Sequence, residues 1–75
     1  MLWIMDSIYT KEHVRLVQKL KQARMESKLT QVQTAKLLRK QQSYISKIER
    51  GERRIEALEL GKFATLYKKD ISYFF

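Results

Sequence analysis

The sequence predicts an all-α fold, a compact bundle of five short helices, and three observations carry that expectation. Proline is absent and glycine occurs only at Gly51 and Gly61, so few residues break a helix and no β-turn dipeptide occurs. Apolar residues recur at three and four spacing along most of the chain. Thr10, Thr30 and Asp70, all good helix caps, stand directly before periodic runs. Seventy-five residues close around one core and no more, since a chain this short buries only about 60% of its unfolded surface. The division expected is an apolar N-terminal arm over 1–10 and one domain over 11–75.

The elements follow in order. Thr10 caps a first helix, with Glu12 in the first turn where its charge suits the helix dipole. Leu16, Val17, Leu20 and Ala23 form its apolar stripe, and it runs to about Ser27. His13 is expected at the surface or edge. Thr30 caps a two-turn helix over 31–38, with Val32, Ala35 and Leu38 inward. A third helix covers 42–50, and Gly51 is placed to stop it in a left-handed conformation, having no Cβ to clash. Ile55 leads a fourth helix from about Glu56 to Tyr67, with Leu60, Phe63, Ala64 and Tyr67 on one face. Gly61 lies inside it and costs about 1 kcal/mol against alanine, which is expected to mark a close helix approach. Glu56 and Glu59 read as a solvated face. Asp70 caps one last turn, 71–75.

Sixteen Lys and Arg against eight Asp and Glu give a formal charge of +8, which favours a polyanionic partner: nucleic acid first, an anionic membrane second. The excess is confined to residues 11–54; beyond Ile55 three basic residues balance three acidic ones. Cysteine is absent, so no disulfide framework or thiolate metal site exists, and a reducing interior fits. The apolar start, Met1 to Met5, stops at Asp6 with no basic lead, too short for a signal core or a membrane span. It reads as a packing arm that covers the domain's own core or meets a second copy. His13 has no partner cluster for metal binding or base catalysis, and Ser43 and Ser46 have no base to activate them. No enzyme, metal or cofactor is expected.

The stretch KQQSYISKIERGERR, residues 40–54, is the most informative. At about 100° per residue, Gln42, Ser43, Ser46, Lys47 and Arg50 fall on one arc of roughly 140°, while Tyr44, Ile45 and Ile48 lie opposite. The polar arc carries amides, hydroxyls and basic groups but almost no carboxylate, the one group that a polyphosphate repels. Glutamine can hydrogen-bond an adenine edge at two points, and lysine and arginine reach guanine or phosphate. Another short helix precedes across a tight link, the arrangement in which a second helix lies in a major groove. Arg50-Gly51-Glu52-Arg53-Arg54 then forms a basic loop placed to meet sugar-phosphate.

From Leu20 to Phe75 the chain resembles the phage repressor and Cro-like (XRE-type) helix-turn-helix family of bacterial and phage transcription regulators. The resemblance is carried by Leu29-Thr30-Gln31 opening the second helix, Ala35 at its close approach to the third, the buried pair Ile45 and Ile48, and Ile48-Glu49-Arg50-Gly51 closing the third. It implies a five-helix, lambda-repressor-like DNA-binding domain. It also implies that Gln31 meets a phosphate and braces Gln42, that Gln42, Ser43, Ser46 and Lys47 read base edges, and that Arg24 and Glu49 pair between the first and third helices. Thr30, Gln31, Arg39, Lys40, Arg50, Arg53 and Arg54 are the expected phosphate contacts. Three positions depart from the family pattern: Arg39 stands where it usually has glycine between the second and third helices, Lys68 where glycine often ends the fourth, and Arg50 where asparagine is common.

The expected function is sequence-specific binding of double-stranded DNA by a transcriptional regulator, a repressor acting by occupancy in a bacterial or phage-infected cytoplasm, associated with the nucleoid. A homodimer on a pseudo-palindromic operator is expected, joined through the last helix and the N-terminal arm, with no membrane. Trp3, Tyr73, Phe74 and Phe75 either close the core or form that interface. Two alternatives compete: an antitoxin-like protein-binding module that holds a protein partner with its aromatic termini, and a basic domain that binds RNA or anionic membrane without sequence preference.

Overall fold

The computed structural model describes residues 10–75, and the expected arm therefore lies, but for Thr10, outside the described residues. The described chain forms four α-helices and a 3₁₀ turn: α1 (Lys11–Glu26), α2 (Gln31–Leu38), α3 (Gln42–Glu49), α4 (Ala57–Leu66) and the turn Ile71–Phe74. Five full helices were expected, but the last element is too short for α-helical hydrogen bonding and closes as a single tight turn. Asp70 caps it, its carboxylate accepting from the Ser72 N–H at 2.9 Å.

Capping sets the starts of α1 and α2. The Thr10 hydroxyl accepts from the His13 N–H at 3.1 Å, and Thr30 exchanges hydrogen bonds with Gln33 in a reciprocal capping box, at 3.1 and 2.9 Å. Helix α4 begins one residue later than expected, because Glu56 is its N-cap, and Tyr67 is its C-cap. Gly51 takes φ 74°, the left-handed stop that its missing side chain permits. Lys28, Arg39 and Lys68 also take positive φ, 57° to 59°. Arg39 is the C-cap of α2, and Lys28 and Lys68 directly follow the C-caps of α1 and α4, where one left-handed residue turns the chain out of the helical path.

The core gathers Leu20 and Ala23 from α1, Ala35 from α2, Ile45 and Ile48 from α3, Leu60, Phe63 and Ala64 from α4, with Tyr67 and Phe74. Two expectations fail at its edges. Val32 is 46% exposed, and Thr34 is buried in its place beside Ala35. At about 100° per residue the inward arc of α2 centres on Gln31, Thr34, Ala35 and Leu38, and Val32 lies roughly 110° away from that centre. His13 is only 8% exposed, since it begins one turn earlier the stripe that Val17 and Leu20 continue; its Nε2 has no hydrogen-bond partner among the described residues.

The C-terminal turn docks on α1 and α4. Phe74 is buried and meets Tyr73 edge-on with ring centroids 5.1 Å apart, while Phe75 is 77% exposed. The aromatic end therefore closes the core with one ring and presents another to solvent. Lys69 reaches Glu26 at 2.7 Å, fastening the exit of α4 to the end of α1. Gly61 faces no neighbour within 4 Å of an added Cβ, so the close helix approach expected there is not made among the described residues. No helix among the described residues is long and apolar enough to cross a membrane.

Candidate nucleic-acid interface

Helices α2 and α3 are joined by residues 39–41 and pack chiefly on each other. The link is tight because Arg39 turns left-handed (φ 59°, ψ 43°) while the Lys40 N–H returns to the Ala35 carbonyl at 2.8 Å. Helix α3 then buries Ile45 and Ile48 and leaves Gln42, Ser43 and Lys47 exposed. Ser46 is half-buried and accepts a hydrogen bond from Arg50 Nη1.

Beneath this face lies a connected polar chain. Arg24 grips Glu49 with two nitrogens, Nε at 2.7 Å and Nη2 at 3.1 Å, and donates from Nη1 to the Leu29 carbonyl at 2.8 Å. The pair is largely removed from water, its side chains 12% and 5% exposed. Gln31 donates to Glu49 at 3.1 Å, and its own carbonyl oxygen accepts from Gln42 at 3.3 Å. A surface amide at the start of α3 is thus tied through Gln31 to a buried ion pair joining α1 to α3. Pre-setting a side chain in this way reduces the entropy lost when it docks.

The basic residues around α3 differ in how far their own carboxylates engage them. Arg50 holds Glu52 through Nε and Nη2 at 2.9 and 3.1 Å. The Arg50 hydrogen bond is the main reason the Glu52 carboxyl lies below its usual range. Arg53 pairs with Glu59, and its guanidinium carbon lies 4.9 Å from the centre of the Tyr44 ring. Lys40 is exposed, with Nζ 5.1 Å from the same ring centre; Arg39 and Arg54 are exposed, and the Thr30 hydroxyl serves the capping box. Glu59 is not the solvated residue expected. Burial alone would raise its carboxyl, but hydrogen bonds from the Glu56 N–H, Tyr44 and Arg53, with the arginine's charge, together hold it low. Helical spacing could not reveal Glu59 as a partner of the loop; the available signal was a carboxylate at the third position of a helix that follows a run of two arginines.

A family model described as helix-turn-helix matches residues 20–74. The chain belongs to the XRE/Cro/C1-type helix-turn-helix family. No curated protein matches it. Membership of this helix-turn-helix family implies DNA binding, and the family is not an enzymatic one.

Against the helix-turn-helix pattern, Arg39 is the notable departure, since it adopts the left-handed conformation for which the family usually uses glycine. A side chain there costs about 1 kcal/mol. Arg39→Gly is therefore expected to raise the free energy of unfolding by about 1 kcal/mol in urea titrations. If the arginine meets a phosphate, the same variant will reduce the slope of log affinity against log salt by about 0.9. A more stable variant with an unchanged slope would remove Arg39 from the DNA contacts.

Proposed function

We propose that this protein is a transcriptional regulator that reads double-stranded DNA with α3 in the major groove and represses by occupying its site. Gln42, Ser43, Ser46 and Lys47 read base edges. Thr30, Gln31, Arg39, Lys40, Arg50, Arg53 and Arg54 face the sugar-phosphate backbone, which supplies affinity without sequence information. Residues 11–75 act as one DNA-binding unit. The protein works as a homodimer on a pseudo-palindromic operator in a bacterial or phage-infected cytoplasm. The observation that supports this reading best is the bracing of Gln42 through Gln31 onto the Arg24–Glu49 pair. An exposed glutamine held by a second glutamine that is itself anchored on a buried carboxylate is poorly explained as mere wet surface.

The test is selection of bound duplexes from a random pool at near-physiological salt, with the protein's mass in solution measured alongside. A motif with two half-sites about 34 Å apart, one helical turn, and a dimeric mass are the expected results. Tight binding at low salt with no motif would refute sequence reading. That outcome would favour the antitoxin-like alternative, in which the aromatic termini, with Phe75 77% exposed, hold a protein partner.

A further inference from the structure

Tyr44 of α3 touches the basic segments on both sides of the helix in sequence. Lys40, from the link before α3, and Arg53, from the loop after it, both lie over its ring, at 5.1 and 4.9 Å from the centre. The ring itself is fixed from within, parallel to Phe63 within 8° at a centroid distance of 6.4 Å. Its hydroxyl donates to Glu59 Oε2 at 2.7 Å, and the same oxygen receives Arg53 Nη2, while Glu59 Oε1 accepts the Glu56 N–H at 3.0 Å. Glu59 is thus held at the first turn of α4 and cannot follow Arg53 outward. Arg53 Nε is buried and has no acceptor among the described residues, and the guanidinium is anchored through Nη2 on Glu59.

We propose that Tyr44 and Glu59 are positioning residues for DNA binding: the ring gathers Lys40 and Arg53, and the carboxylate orients Arg53, so that two backbone-contacting cations stand in register with the base-reading face. The proposal rests on the DNA-reading function above. Three physical points support it. A cation over an aromatic face is attracted by the ring's negative centre without losing its charge, so it remains available to a phosphate. Lysine and arginine side chains otherwise lose much rotamer freedom on docking, and anchoring them beforehand lowers that cost. The Tyr44 hydroxyl, pushed up to about 12 by burial first and then by its hydrogen bond to Glu59 and that residue's charge, stays a donor throughout the working pH range.

The experiment measures binding of the intact protein to a random-sequence duplex across a salt series, together with its thermal melting, for the native chain and for Glu59→Gln, Tyr44→Phe and Tyr44→Leu. Glu59→Gln removes a negative charge beside a polyanion, which by electrostatics alone tightens binding; a positioning role requires the opposite, a several-fold weakening and a shallower salt slope. Tyr44→Leu is expected to lower the slope by roughly 0.9 to 1.8, one to two phosphate contacts, and Tyr44→Phe, which keeps the ring, restores most of that loss. Tighter binding by Glu59→Gln, or an unchanged slope in Tyr44→Leu despite a lower melting temperature, overturns the proposal and leaves these residues as packing alone. Should Tyr44→Leu fail to fold, Glu59→Gln decides the matter by the sign of its effect. Failure of the DNA-binding function itself would look different, since the native chain would then show no steep salt dependence.

Discussion

Replacing Arg24 with methionine is expected to lower the free energy of unfolding by about 3 kcal/mol. The melting temperature should fall by about 15 °C, at the rate usual for a domain of this size. The cause is what the substitution leaves behind. Glu49 is 5% exposed and, among the described residues, would keep Gln31 alone as a side-chain donor, so a charge would sit in a poorly polarisable interior without its counter-charge. With total stabilities of small domains about 5 kcal/mol and upward, such a loss approaches the limit of folding. Urea and thermal unfolding at one fixed protein concentration measure it, because self-association would otherwise shift the apparent stability.

The double variant Arg24→Met with Glu49→Leu separates stability from specificity. Both ions then disappear, and with them the desolvation cost, so most of the lost stability returns. Gln31, however, loses its acceptor, and the brace on Gln42 loosens. A well-folded double variant with reduced preference for the selected operator over random DNA is the expected result. If Arg24→Met alone costs under about 1 kcal/mol, the pair behaves as an exposed one and the buried anchor is not what sets α3 in place.

Much of this architecture is legible from residue types alone. Thr10, Thr30 and Asp70 announce their elements because capping is local: one side chain meets a backbone N–H two or three residues on. Gly51 announces a left-handed stop for the same reason. What cannot be read locally is rotation. Val32 and Thr34 both lie near an arc that contains Ala35, and only the packing of α2 on α3 decides that the threonine turns inward. His13 is missed because a polar residue extending an apolar stripe by one turn looks like the stripe's end. Left-handed Lys28 carries no glycine to announce it. At the candidate interface the residue types on α3 are visible as a pattern, whereas the engagement of Arg53 by Glu59 and Tyr44 joins residues from separate helices and their loop. Neither residue's spacing suggests it.

Gln42→Ala and Lys47→Ala are each expected to reduce the ratio of operator to random-DNA binding by about 1 to 3 kcal/mol, a factor of roughly 5 to 150. Gln42 stands first on α3, where the N-terminal residues of a groove-bound helix reach base edges. Its amide is tied through Gln31 to the buried Glu49, and alanine removes both that amide and the end of the brace. Lys47 is exposed one turn further on and has four carbons of reach. Arg54→Ala supplies the contrast. The phosphate contact proposed for Arg54 would carry no sequence information, so this variant is expected to weaken operator and random DNA alike, with the salt slope smaller by about 0.9. Competition binding at several salt concentrations yields both quantities from one series. If Gln42→Ala and Lys47→Ala lower binding to all duplexes equally, as Arg54→Ala should, then α3 meets the backbone rather than the bases, and the reading face must be sought elsewhere on the domain.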